Sequence, residues 1–186
     1  MLNRGHESVA PVALARDNAQ MARDLFRFDT PASVLDWTAV NDGVMGGLSR
    51  SRLRYDEQGC AVFAGVVSLA NIGGFASVRS RPLDLGAPAA RAYELVVRGD
   101  GHRYKLNLRT DDAFDGINYQ AGFTADADAW MSVQVPVSAL RATFRGREVP
   151  GATPFDSARV RQAGLMIADR QAGAFALAIR ALRAVD

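Results

Sequence analysis

Cysteine, lysine and histidine are nearly missing from this 186-residue chain. Its one cysteine, Cys60, excludes an internal disulfide framework and any multi-cysteine metal site. It opens an apolar run, a setting for a small core filler rather than a nucleophile. Two histidines, His6 and His102, leave little material for a base relayed to serine or cysteine. Lys105 is the only lysine among 22 basic residues, so the cations are planar guanidiniums suited to carboxylates. A net charge of +2 is too small to indicate nucleic acid. No apolar run approaches the roughly 20 residues of a membrane-spanning helix. The nearest thing to a signal-peptide core, residues 9–15, is short, holds Pro11 and follows Glu7. The expected setting is a soluble, reducing compartment, with no membrane insertion.

What is present is period-two patterning. Residues 1–24 read as a polar lead-in, with a weak helical spacing at Ala15, Ala19, Ala22 and Phe26. From Leu25 onward the period is two. Strands are expected at 50–55, 60–69, 75–79, 93–98, 104–109, 117–123, 130–135, 164–168 and 174–183, separated by glycine, proline and asparagine turns. Short helical turns are expected near 138–141 and 156–163. Together these features specify one all-β domain over 25–186, an antiparallel β-sandwich.

Within that frame, Val40-Asn41-Asp42-Gly43-Val44-Met45-Gly46-Gly47-Leu48-Ser49 is dense in glycine. A phosphate cradle needs a helix behind its glycines, and here a strand of alternating arginines follows. The segment is therefore expected to be a crossover. Trp37 and Met45 anchor it, while Asn41 and Asp42 satisfy backbone groups. With the Asn71-Gly73-Gly74 turn it lines a small cleft. Arg98-Gly99-Asp100-Gly101 reads as a hairpin turn, with both glycines at positive φ and Asp100 capping locally.

A polar row offers a second surface. Lys105, Asn107 and Arg109 share one face of a strand and should meet water or a ligand. If the next strands form a meander, Asn118, Gln120, Ser132 and Gln134 lie alongside, and Trp130 either joins them as a stacking platform or, the favoured alternative, is tucked under a loop at the start of its strand. The acidic turn residues (Asp42, Asp100, Asp111, Asp112) sit where aspartate bonds its own backbone, which argues against paired-carboxylate catalysis.

The ordered motifs also carry a resemblance. Trp37-x-x-Val40-Asn41-Asp42-Gly43-Val44-Met45-Gly46-Gly47-x-Ser49 is followed by Phe63-x-Gly65-x-Val67-Ser68-Leu69 and then by Asn71-x-Gly73-Gly74-Phe75-Ala76-Ser77-x-Arg79. Further on come Arg98-Gly99-Asp100-Gly101-x-x-Tyr104-Lys105, Trp130 leading into Val135-Pro136, and Gly164-x-Met166-Ile167 with Gly173-x-Phe175-x-Leu177-x-Ile179. This series resembles the complex I intermediate-associated protein 30 family from about Leu25 to Val185. The resemblance implies a galactose-binding-domain-like jelly roll and a chaperone role on assembly intermediates of respiratory NADH:ubiquinone oxidoreductase. The chain departs from the family pattern at Ile72, where a second asparagine is common. Glu7, Asp17 and Asp24 interrupt what would be a transit peptide.

These readings lead to a non-enzymatic protein-binding module without cofactor or metal. Its partners would be proteins, respiratory-complex assembly intermediates among them; a carbohydrate-binding module is the alternative, and an enzyme acting on a small metabolite in the glycine-lined cleft is a third reading. The expected location is the bacterial cytoplasm, or the mitochondrial matrix in a eukaryote. The candidate binding residues are Asn41, Asp42, Met45, Asn71, Phe75, Arg79, Arg98, Asp100, Tyr104, Lys105, Asn107, Arg109 and Trp130.

Overall fold

Thirteen strands appear in a computed structural model that describes residues 21–186, apart from the side chains of Val44 and Met45. In chain order they are β1 (Ala22–Arg27), β2 (Trp37–Ala39), β3 (Arg50–Asp56), β4 (Cys60–Val67), β5 (Ala76–Ser80), β6 (Ala92–Arg98) and β7 (Arg103–Arg109). They continue with β8 (Asn118–Thr124), β9 (Met131–Pro136), β10 (Arg141–Phe144), β11 (Arg147–Glu148), β12 (Gln162–Ile167) and β13 (Gly173–Val185). The helical segments among the described residues are short 3-10 turns, including Val137–Ala139 and Ser157–Arg159 in the two regions expected to turn.

The strands form two antiparallel sheets. One runs β3-β4-β13-β6-β9, with β1 laid against the end of β13; the other runs β11-β10-β8-β7-β12-β5-β2. The long β13 serves two sets of partners: Gly173–Ile179 pairs with β4, and Ala178–Val185 pairs with β6 across a register shift near Ile179. Between the sheets lies one apolar core, in which Phe63 meets Phe175 edge-on at 4.9 Å and both lie beside Tyr104. Alternation explains it: Tyr104, Leu106 and Leu108 of β7 point into this core and are fully buried.

Two expectations change here. Ala22 and Phe26 belong to β1, a strand paired with β13, not to a helix; Ala15 and Ala19 lie outside the described residues. The meander also ends at β8, because β9 crosses to the other sheet and pairs with β6. Cys60 is buried as expected, but in a small cluster with Val62 and Ala178 on the outer side of the β4-containing sheet.

Candidate functional site

The glycine-rich segment closes on a carboxylate. Asp42 is fully buried, and its Oδ1 accepts from the Ser49 N–H at 2.9 Å. Its Oδ2 accepts from the Ser49 hydroxyl (2.5 Å), the Gly74 N–H (2.8 Å) and the Phe75 N–H (3.3 Å). Burial alone would raise its pKa, but these donors outweigh burial and hold it below the ordinary carboxylate range. The glycines now have separate reasons. Gly46 sits at φ 88° and ends the Asp42–Met45 3-10 turn. At Gly47 a Cβ would fall 2.3 Å from the Asp42 carboxyl carbon. Nothing in the structure requires glycine at Gly43.

Asn41 does similar work next door. Its Oδ1 accepts from the Ser51 hydroxyl (2.6 Å) and the Ser77 N–H (3.1 Å), tying β3 to β5 across the two sheets. Asn41 and Asp42 therefore spend these side-chain oxygens on holding separate chain segments together. Asn71 is exposed in the adjoining turn, at φ 53°. Trp37 is buried, as an anchor requires, while the Met45 side chain lies outside the described residues.

Asp100 is a second internal hub. Its Oδ1 accepts from the Tyr104 hydroxyl (2.8 Å) and the His102 N–H (3.1 Å), and its Oδ2 accepts from the Ala176 N–H (2.7 Å). Burial would raise the Asp100 pKa, but these bonds keep it low; burial, then the Asp100 hydrogen bond and charge, push the Tyr104 phenol up. Gly101 has the expected positive φ of 86°, but Gly99 does not. Its need is space: a Cβ there would lie 2.2 Å from the Ala125 carbonyl oxygen.

Trp130 lies away from the polar row. It packs beside Cys60 and Val62 on the other sheet, with the Arg180 guanidinium 4.0 Å and that of Arg98 5.2 Å from its ring. Ser132 and Gln134 follow it there, since β9 pairs with β6. The indole is thus not a platform for the row.

Lys105, Asn107 and Arg109 do share one face, the face of β7 turned away from the core. They floor a cleft of about 470 Å³. The register places Arg79, Gly164, Asn107 and Gln120 side by side across β5, β12, β7 and β8. Phe75 and Met166 add apolar lining, and the loop carrying Phe114 and Asp115 forms a wall. That wall buries the floor: Asn107 is 7% and Arg109 2% exposed, where water or a ligand had been expected. Arg109 donates to Asp111 (2.9 Å) and to the Phe114 carbonyl (3.2 Å), Lys105 pairs with Asp169 (2.8 Å), and Gln120 donates to Asn107 (2.7 Å). Replacing Lys105, Asn107 and Arg109 together with alanine should therefore cost about 2–4 kcal/mol, because buried partners lose their bonds. A melting temperature unchanged from wild type would show that the floor is not structural.

The sequence reading missed Phe114, Asp115, Arg145, Met166 and Asp169 as cleft residues. One signal was available: Phe114 is an aromatic set among aspartates in a loop, and it is 69% exposed. Among the described residues there is no group of three or more His, Cys, Asp or Glu side chains able to hold a metal.

Two packed antiparallel sheets with a cleft on the outer face of one define a jelly-roll β-sandwich. The structure is similar to a family 11 carbohydrate-binding module of a cellulosomal cellulase of Clostridium thermocellum, with TM-score 0.67, 14% identity, and coverage of 90% of this chain and 96% of that one. A second structure of a family 11 module from that organism, in complex with a β-1,3-1,4-mixed-linked tetrasaccharide, gives TM-score 0.65 and 14% identity over 88% and 95% of the two chains. At that identity the likeness is one of fold. The chain itself belongs to the complex I intermediate-associated protein 30 (CIA30) family, whose model matches residues 26–179. It is 26% identical to the mitochondrial complex I intermediate-associated protein 30 of Drosophila melanogaster, over 83% of this chain and 60% of the fly protein. It is 28% identical to an uncharacterized protein of Schizosaccharomyces pombe, over 81% and 78% of the two chains. No described helix is long and apolar enough to cross a membrane.

Proposed function

We propose that this chain is a non-enzymatic binding module that holds a protein partner during assembly of respiratory complex I, and that the cleft on β5, β12, β7 and β8 is where it grips. The observation that carries the reading is the cleft itself. At about 470 Å³ it is the size of ordinary ligand pockets, and it combines apolar lining at Phe75 and Met166 with an amide and guanidinium floor. Family membership supports a protein as the partner. Asp42 and Asp100, the acids with perturbed pKa values nearest the sequence motifs, are saturated by internal donors and so support scaffolding, not turnover.

The test is affinity capture from cells expressing the tagged chain, with bound proteins identified. The wild type should retain subunits of NADH:ubiquinone oxidoreductase. Gln120→Trp sets an indole across the floor and should cut that capture at least fivefold while the variant stays folded. Trp130→Ala, on the other sheet, should leave capture unchanged. Captured material free of such subunits, or capture indifferent to Gln120→Trp, would overturn the reading. A carbohydrate ligand is the second reading, favoured by the Asn107 and Gln120 amides on the cleft floor. Titration with the mixed-linked tetrasaccharide checks it: binding that Gln120→Trp abolishes and salt leaves alone would establish a sugar site.

A further inference from the structure

The cleft holds a charge that the chain does not neutralise. Four cations line it: Arg79, Lys105, Arg109 and Arg145. Three are paired, Lys105 with Asp169, Arg109 with Asp111 and Arg145 with Asp115, at 2.8 to 2.9 Å. Arg79 makes no ion pair among the described residues. Its Nη1 donates to the Phe114 carbonyl at 2.9 Å, and its guanidinium lies over the Phe114 ring at 4.9 Å. The same carbonyl accepts from Arg109 at 3.2 Å, so two guanidiniums converge on one oxygen. Burial first, and the charge of Arg109 second, push the Arg79 pKa down, and the nearby Asp111 and Asp115, each already paired with another arginine, offset this only in part. Behind it, the buried Nε of Arg109 has no hydrogen-bond partner.

Space is provided beside that charge. Gly164 stands between Arg79 and Asn107 in the register and lines the cleft, so β12 sends no side chain into it there; a Cβ would already meet the Val78 carbonyl oxygen at 2.9 Å, and the slot lies above that backbone. On the far side of the slot, Asn107 uses its carbonyl oxygen to accept from Gln120. The Asn107 amide NH₂ and the Gln120 carbonyl oxygen make no bond within the described chain. An unused donor and an unused acceptor beside each other suit the alternating C=O and N–H groups of an extended peptide.

Resting on the binding-module reading above, we propose that the slot over Gly164 receives a glutamate or aspartate side chain from an extended acidic segment of the partner protein, with Arg79 as its counter-ion and Asn107 and Gln120 holding the segment's backbone. The guanidinium fork of Arg79 matches a carboxylate in shape as well as charge. An acidic oligosaccharide has the charge but lacks the alternating amide groups, and so is the competing occupant the test must exclude.

The experiment titrates the purified protein with fluorescent hexaglutamate, with hexaglutamine and with a galacturonic acid hexamer. Hexaglutamate should bind, more weakly as salt rises, and hexaglutamine should bind at least tenfold more weakly. Arg79→Gln should weaken hexaglutamate at least tenfold, Arg79→Lys by less, and Arg52→Gln, at an exposed position on β3 of the other sheet, not at all. Melting curves of the variants establish that each is folded, since Arg79 is only half-buried. Absence of hexaglutamate binding, equal binding of hexaglutamine, or indifference to Arg79→Gln would overturn the proposal. Tighter Arg79-dependent binding of the galacturonate would overturn the peptide as occupant. In the capture experiment, loss with Gln120→Trp but not with Arg79→Gln would sink this inference while leaving the binding-module reading intact.

Discussion

Asp42→Ala should destabilise the domain by about 4 kcal/mol. Four donors converge on that carboxylate, three backbone N–H groups and one hydroxyl, from two segments 25 residues or more apart in sequence. Removing it leaves buried N–H groups at Ser49, Gly74 and Phe75 without an acceptor, each worth about 1–3 kcal/mol when orphaned. In a domain of this size such a loss lowers the melting temperature by roughly 10 °C. Asp42→Asn keeps the shape but turns one oxygen into a donor facing other donors, so it should cost about half as much. Acid should act through the same group. Because the folded Asp42 pKa is lowered, its stabilisation is present above the unfolded value of about 3.9 and is lost as pH falls through the folded one. Asp100 adds a contribution of the same sign. The wild type should therefore lose stability below about pH 4, and Asp42→Asn should show a shallower fall; thermal melts between pH 7 and pH 2.5 measure both.

The same carboxylate shows where sequence reasoning works and where it stops. Alternation and apolar runs bounded by turns located β3 to β9, β12 and β13; strands such as β3 and β6 bury one face more than the other, and burial imposes the period, while β4 is buried along most of its length and reads as an apolar run. β1 has mostly exposed residues, so Ala22 and Phe26 fitted a helical spacing equally well. β2 and β11 are too short, at three and two residues, to show any period. Alternation also placed Lys105, Asn107 and Arg109 on one face. It could not tell an open face from a walled one, because the wall at Phe114 comes from a loop. Trp130 was misplaced for a topological reason: local pattern does not encode which sheet β9 joins. The glycine-rich motif was read correctly as a crossover, but the identity of its centre needed coordinates. Only they show that the Asp42 carboxylate occupies the space a Gly47 side chain would need, and that at Gly73 it does so together with the Ser68 and Ala70 carbonyls.

A contact at Gly65 carries the other large expected effect, and it links the sheets to the cleft. Gly65 lies in β4 opposite Ser51 of β3 and Phe175 of β13. A Cβ built there would sit 1.9 Å from the Arg50 carbonyl oxygen and 2.8 Å from the Ser51 Cα. Both are backbone atoms of β3, which cannot rotate away as a side chain would. Gly65→Ala should thus push β3 outward and cost about 3 kcal/mol, the upper end for overpacking. Gly122→Ala is the matched control on β8: the nearest atom to its Cβ is 3.8 Å away, so alanine fits and stability should hold or rise slightly. The displacement has a second consequence. Ser51 donates to Asn41 Oδ1, and that oxygen also accepts from the Ser77 N–H of β5, the strand that carries Arg79 into the cleft. Moving β3 should loosen this link, so Gly65→Ala should weaken hexaglutamate binding as well as lower the melting temperature, even at temperatures where the variant remains folded. Gly122→Ala should do neither. A Gly65→Ala protein with wild-type melting would show that β3 yields without cost. A destabilised variant with wild-type binding would show that the Ser51–Asn41–Ser77 link does not position the cleft wall.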